Sequence, residues 1–154
     1  MLSSLSKVHV ARSLSELIWP YALVGPKDFW RPQGFLDPKE PELCETNEFL
    51  PSDICDEVIN WWLAVRKRAR TPVWDFAATC TVPGHDKRGV VLVEAKAYCE
   101  ELSEGGKELG AKTNRENHER IGAAINEAKT GLNDVLAGWN LARDSHYQLS
   151  NRFA

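Results

Sequence analysis

The sequence predicts a mixed α/β fold of the α+β kind, a sheet flanked by helices, and three observations predict it. Apolar residues recur at helical spacing through Ile54, Val58, Trp61, Trp62, Val65 and Ala69. They do so again through Ile121, Ile125, Ala128, Leu132, Val135 and Trp139. Between these stretches lie two extended segments, "VWDFAATCTV" (73–82) and "GVVLVEAKAY" (89–98), joined by "PGHDKR", whose residues suit a turn. With 154 residues, 43% of them hydrophobic, the chain has the length of a single domain and the material for a real core.

Taken in order, residues 1–18 read as an amphipathic helix. The start, "MLSSLSKVHVARSLSEL", has no acid before Glu16, as in a transit peptide, but Leu5, Val8, Arg12 and Glu16 do not segregate a strongly basic face. Residues 19–51 hold six of the eight prolines together with Trp19, Tyr21, Phe29, Trp30 and Phe35. Proline removes donors and fixes φ, so this is mostly loop, yet it is too aromatic for a free linker. The expected organisation is therefore an N-terminal helix and aromatic arm (1–52) packed on a core (53–154), with "YALVG" a candidate short strand.

Ser52 or Asp53 suits an N-cap, and Asp56 and Glu57 follow in the first turn, where the helix dipole favours acids. The helix is expected to run to about Arg70, with "RKRAR" (66–70) placing cations at its C-terminal end. Period two in the hairpin sets Val73, Asp75, Ala77, Thr79 and Thr81 on one face of the first strand, and groups Val90, Leu92, Glu94, Lys96 and Tyr98 in the second. After "SEGGKELGAK" the chain reads as helix, expected to divide at Gly131. A second piece from about Asn133 would carry Gln148 and Arg152 four apart on one face.

Composition narrows the function classes. A net charge of −3 gives no global positive field for nucleic acid, so any basic surface is local: Lys87 and Arg88 in the turn, or residues 66–70. Cys44, Cys55, Cys80 and Cys99 lack zinc-site spacing and read as packed thiols. There is no G-x-S-x-G and no P-loop. No apolar run approaches the ~20 residues of a spanning helix and no secretory signal is visible, so the expectation is a cytoplasmic protein without a membrane partner.

The chemistry gathers at the hairpin. A turn centred on 84–86 sets Asp75 opposite residues 94–96, and parity puts Asp75, Glu94 and Lys96 on one face. Two carboxylates ~5 Å apart repel by about 3 kcal/mol at an effective dielectric near 20, and a proton, the Lys96 ammonium or a divalent cation would offset that. Mg²⁺ favours such oxygen ligands, and a metal-bound water beside a lysine suits phosphodiester hydrolysis. A structural ion network at a sheet edge is the plainer reading of the same residues.

An acid-x-lysine triplet also occurs at Asp37–Lys39 and Glu127–Lys129, so context decides, and only "GVVLVEAKAY" carries one behind an apolar strand. In that context "TPVWDFAATCTV" followed by "GVVLVEAKAY" resembles the PD-(D/E)xK superfamily, the restriction-endonuclease-like nucleases. The resemblance implies Mg²⁺, or Mn²⁺, bound by Asp75, Glu94 and the carbonyl of Ala95, with Lys96 orienting or activating the attacking water. It makes Glu57 a candidate fourth metal ligand, Gln148 a late helical glutamine near the metal-site water, and Arg152, Lys87 and Arg88 phosphate contacts. The implied function is metal-dependent hydrolysis of nucleic acid, DNA before RNA; the alternative is an inactive binding or structural module of the same fold.

Two departures stand out. Trp74 replaces the proline before Asp75, and no apolar strand follows the last helix, where the superfamily core has the order αβββαβ. The last strand is then expected from elsewhere in the chain, or the chain is a shortened member. An open sheet edge predicts a homodimer or a marginally stable domain.

Overall fold

A computed structural model describes residues 4–34, 37–66, 69–86, 88–96, 98, 105–109 and 114–154, with side chains from residue 7 onward. These residues form a mixed α+β structure of four helices and one three-stranded antiparallel sheet. The chain divides into two compact units: Met1–Pro51 with Val73–Glu94, and Ser52–Pro72 with Ala95–Ala154.

The first unit holds α1 (Ser4–Ile18), β1 (Trp30–Arg31), β2 (Phe76–Thr81) and β3 (Arg88–Val93), with β2 in the middle of the sheet. Small residues on both faces let β2 be buried on each: Ala77 and Ala78 are inaccessible to solvent, and Thr79 and Cys80 nearly so. Trp30 pairs with Ala78, so the largest side chain of the arm stands across from one of the smallest in the strand. Their cluster includes Ala11, Ala22, Val24 and Cys80, with Val10, Leu14 and Ile18 of α1 and Val91 of β3 against it. Leu23, inside "YALVG", makes a bridge to Thr81, and Glu42 makes another to Val73. The proline-rich arm thus supplies partners to β2 by single bridges and a two-residue strand.

The second unit holds α2 (Ser52–Trp62), α3 (Arg115–Val135) and α4 (Tyr147–Phe153). Trp62, Leu63, Ile121, Ala124, Ile125 and Leu141 form its core. Asn114 caps α3 by accepting from the Asn117 N–H at 3.2 Å. Three boundaries differ from the sequence expectation, each for a physical reason. First, α2 stops at Trp62 rather than near Arg70, because the buried Asn117 amide takes the Val65 N–H (2.7 Å) and carbonyl (2.8 Å) that a longer helix would have used. Of the expected stripe Trp62 is buried but Ile54 is exposed, and Cys55, outside that stripe, is buried.

Second, α3 runs through Gly131, whose position is exposed with no neighbouring group in reach, so the glycine costs only about 1 kcal/mol of helix propensity. Third, no helix starts at Asn133. Its amide accepts from the Gly138 and Trp139 N–H groups and donates to the Lys129 and Trp139 carbonyls, closing α3 and folding the chain into a loop. Gly138 takes φ +119°, a conformation L side chains rarely adopt, and Val135 is left 88% exposed.

Ile125 is fully buried, so Ile125→Ala should lower the unfolding free energy by about 2–5 kcal/mol. The shift of the urea midpoint measures it, and a loss under about 1 kcal/mol would show that the second core is not packed as described.

Candidate functional site

The β2–β3 ladder runs from Thr81↔Arg88 to Phe76↔Val93. Asp75 and Glu94 are the next residue of each strand outward from that last pair. They flank the Phe76–Val93 pair, one residue beyond the end of each strand. The chain reaches this point because β2 and β3 are bound by continuous apolar pairing (Ala77↔Leu92, Ala78↔Val91), which fixes the register against a one-residue slip. Both carboxylates belong to the first unit and both are half-buried.

Lys96 follows Glu94 by two residues and lies in the second unit, as does Ala95. Its ammonium donates to Oε1 of Gln148 at 3.2 Å, joining two residues 52 positions apart. Gln148 sits in the first turn of α4, where Ser150, almost wholly buried, anchors the helix by accepting the Ala142 N–H at 3.0 Å. Arg152, one helical turn on, is half-buried. Glu57 is exposed on α2 of the second unit.

The expected phosphate contacts of the hairpin fall differently. Lys87 lies outside the described residues. Arg88 stands at the opposite end of β3 from Glu94, five residues before Val93 and so roughly 17 Å from it along the strand. Its Nη2 donates to Oδ1 of Asp28 at 2.6 Å and lies 2.7 Å from Oγ1 of Thr79. Thr79 Oγ1 donates to the same Asp28 oxygen at 2.8 Å, and the Gly25 N–H reaches Asp28 Oδ2 at 2.7 Å. Burial alone would raise the Asp28 pKa, but the Gly25, Thr79 and Arg88 hydrogen bonds and the Arg88 charge outweigh it and hold the carboxyl below its ordinary range. Burial also pushes the neighbouring Cys80 thiol up, and the Asp28 charge adds to this. Cys55 and Cys80 are buried and Cys44 is partly buried.

Sequence reasoning missed Asp28, since nothing local marks an acid whose partners lie 51 and 60 positions away. It also missed a cavity of about 320 Å³ in the second unit, lined by Gly105, Gly106, Lys107, His118 and Asp144 among others. Gly106 is required there, because a Cβ would collide with the Asp144 carbonyl. His118 is buried, and its carbonyl accepts from Arg143 at 3.2 Å. A hydrogen bond from Arg143 holds the Asp144 carboxyl below its ordinary pKa.

Two carboxylates are a donor set that suits Mg²⁺ or Mn²⁺, which take hard oxygens and keep several waters. Among the described residues there is no group of three or more His, Cys, Asp or Glu arranged for a metal, so Asp75 and Glu94 would need waters or carbonyls to complete a shell. No helix among the described residues is long and apolar enough to cross a membrane. No family model, no curated protein and no solved structure matches the chain.

Because Asp28 binds its proton more weakly when folded, the unfolded chain takes up more protons as the pH drops below about 4. The stability Asp28 confers is full above its unfolded pKa and is lost as pH falls through its folded value. Urea midpoints measured from pH 7 to pH 3 should therefore fall more steeply for the wild type than for Asp28→Asn, which starts less stable at neutral pH; parallel curves would contradict the assignment.

Proposed function

We propose that the chain is a metal-dependent nuclease that hydrolyses phosphodiester bonds of nucleic acid, DNA before RNA, in the cytoplasm, on a restriction-endonuclease-like core. The observation that supports the reading is the register that ends with Phe76 against Val93, which leaves Asp75 and Glu94 as the residues flanking the last apolar pair. The hydrogen bond between Lys96 and Gln148 adds support, since the sequence resemblance gives both of them roles at the attacking water.

Asp75 and Glu94, with the Ala95 carbonyl, would hold Mg²⁺ or Mn²⁺, which when bound polarises a phosphoryl oxygen and lowers the pKa of water. Lys96 orients the attacking water through its N–H donors, of which an ammonium has three, and Gln148 accepts one of them and fixes the direction of the others. The water oxygen bonds to phosphorus as its proton passes to solvent, the bond from phosphorus to the leaving sugar oxygen breaks, and that oxygen is protonated by solvent. Arg152, a helical turn beyond Gln148, is the candidate contact for a non-bridging phosphate oxygen, and Glu57 remains a candidate additional acid.

A second reading, an inactive binding or structural module, is favoured by the state of the cations. Arg88 is paired with Asp28 and Arg66 with Asp56 at 3.0 Å, so two cations that could meet phosphate already face carboxylates on a chain of net charge −3.

Incubation of plasmid, single-stranded DNA and RNA with Mg²⁺, Mn²⁺ or chelator separates the two. The nuclease reading expects metal-dependent cleavage that falls about 100-fold or more in Lys96→Ala and in Glu94→Gln. Binding of nucleic acid with no cleavage by the wild type, or equal cleavage by wild type and Lys96→Ala, would reject it.

A further inference from the structure

The outer edge of β3 carries a second feature, and it does not depend on the nuclease reading. Backbone hydrogen bonds run from the Thr79 N–H to the Phe29 carbonyl (2.8 Å) and in both directions between Thr81 and Leu23 (2.8 and 2.9 Å). The odd-numbered residues of β2 thus turn their backbone groups toward the arm. Phe76, Ala78 and Cys80 turn theirs toward β3, where they face Val93, Val91 and Gly89. It follows that Arg88, Val90 and Leu92 direct their N–H and C=O groups away from β2, to an edge that pairs with no other strand among the described residues.

Between Arg88 and Glu94 the strand itself carries neither proline nor charge along that edge, only Gly-Val-Val-Leu-Val. Val90, Val91, Leu92 and Val93 are all half-buried, whereas Ala77, Ala78, Thr79 and Cys80 beside them on β2 are buried. The strand is also self-complementary in charge. An antiparallel copy must match outward-facing residues with outward-facing residues, so opposed residue numbers sum to an even value. Centring on Val91 sets Arg88 of each copy opposite Glu94 of the other, twice by symmetry. Centring on Val90 sets Glu94 opposite Asp86, and centring on Leu92 sets Arg88 opposite Lys96, like charge against like in both.

We propose that β3 is a self-association edge: two copies of this chain pair antiparallel about Val91, with Arg88 and Glu94 reading the register, and the two sheets become one. The Arg88 side chain is 65% exposed and is steadied by Asp28 and Thr79 through Nη2, and a guanidinium has further donors for a second carboxylate. Val91 then meets its own counterpart in a non-hydrogen-bonded pair, where Cα atoms approach to about 4.5 Å, within disulfide reach.

The test uses the full chain. Mild oxidation of Val91→Cys should give a covalent dimer on a non-reducing gel, while Leu92→Cys, which faces Val90 of the other copy, should give no more than the wild type with its own cysteines. In sedimentation equilibrium the wild type should dimerise, and Glu94→Arg, with an unchanged circular dichroism spectrum, should raise the dimer Kd roughly tenfold by setting arginine against arginine. A wild type that stays monomeric at every concentration, cross-linking of Leu92→Cys as fast as Val91→Cys, or an unaltered Kd for Glu94→Arg would each overturn the proposal.

Discussion

Because side chains alternate across a strand, the pairing of Phe76 with Val93 decides which face every residue of β2 and β3 presents. A slip of one residue would carry Ala78 and Cys80 out of the first core. The register is held by apolar pairs rather than by the charged residues at either end. The acid pair is therefore a passenger on a hydrophobic constraint, and the same constraint makes the outer edge of β3 regular enough to be read by a second strand.

Where the chain is irregular, buried polar side chains do what helices and ladders do elsewhere. Asp28 ties the arm to both long strands through Gly25, Thr79 and Arg88. Asn117 satisfies both backbone groups of Val65, and Asn133 closes four bonds around the end of α3. Each is an amide or carboxylate that makes more than one bond in a partly desolvated place, so removing one leaves polar groups without partners. These residues explain why helix and strand boundaries sit where they do.

The hairpin was legible in the sequence because its signals are local: alternation, β-branched residues, and a turn of Pro, Gly, His and Asp within six positions. The same arithmetic brought Phe76 against Val93, with Asp75 and Glu94 as the flanking residues. The helical stripe at Ile121 and Ile125 was equally plain, but the end of that helix was not, since propensity says nothing of the Asn133 loop that replaces it. The early stop of α2 depends on Asn117, 52 residues from Val65, and the entry of Trp30 into the sheet on a partner 48 residues away. The Lys96–Gln148 bond was not expected, because spacing along the chain cannot bring residues 52 apart together; the resemblance only implied separate roles for both at one site.

The central claim is that the strand register creates a pair of hard oxygen donors at Asp75 and Glu94. Calorimetric titration of the protein with Mn²⁺ addresses it without asking for turnover, comparing wild type with Asp75→Asn, Glu94→Gln and Glu57→Gln. Saturable binding by the wild type that is lost in both Asp75→Asn and Glu94→Gln is the expected result. Binding left intact by both of those substitutions, or no saturable binding at all, would contradict it.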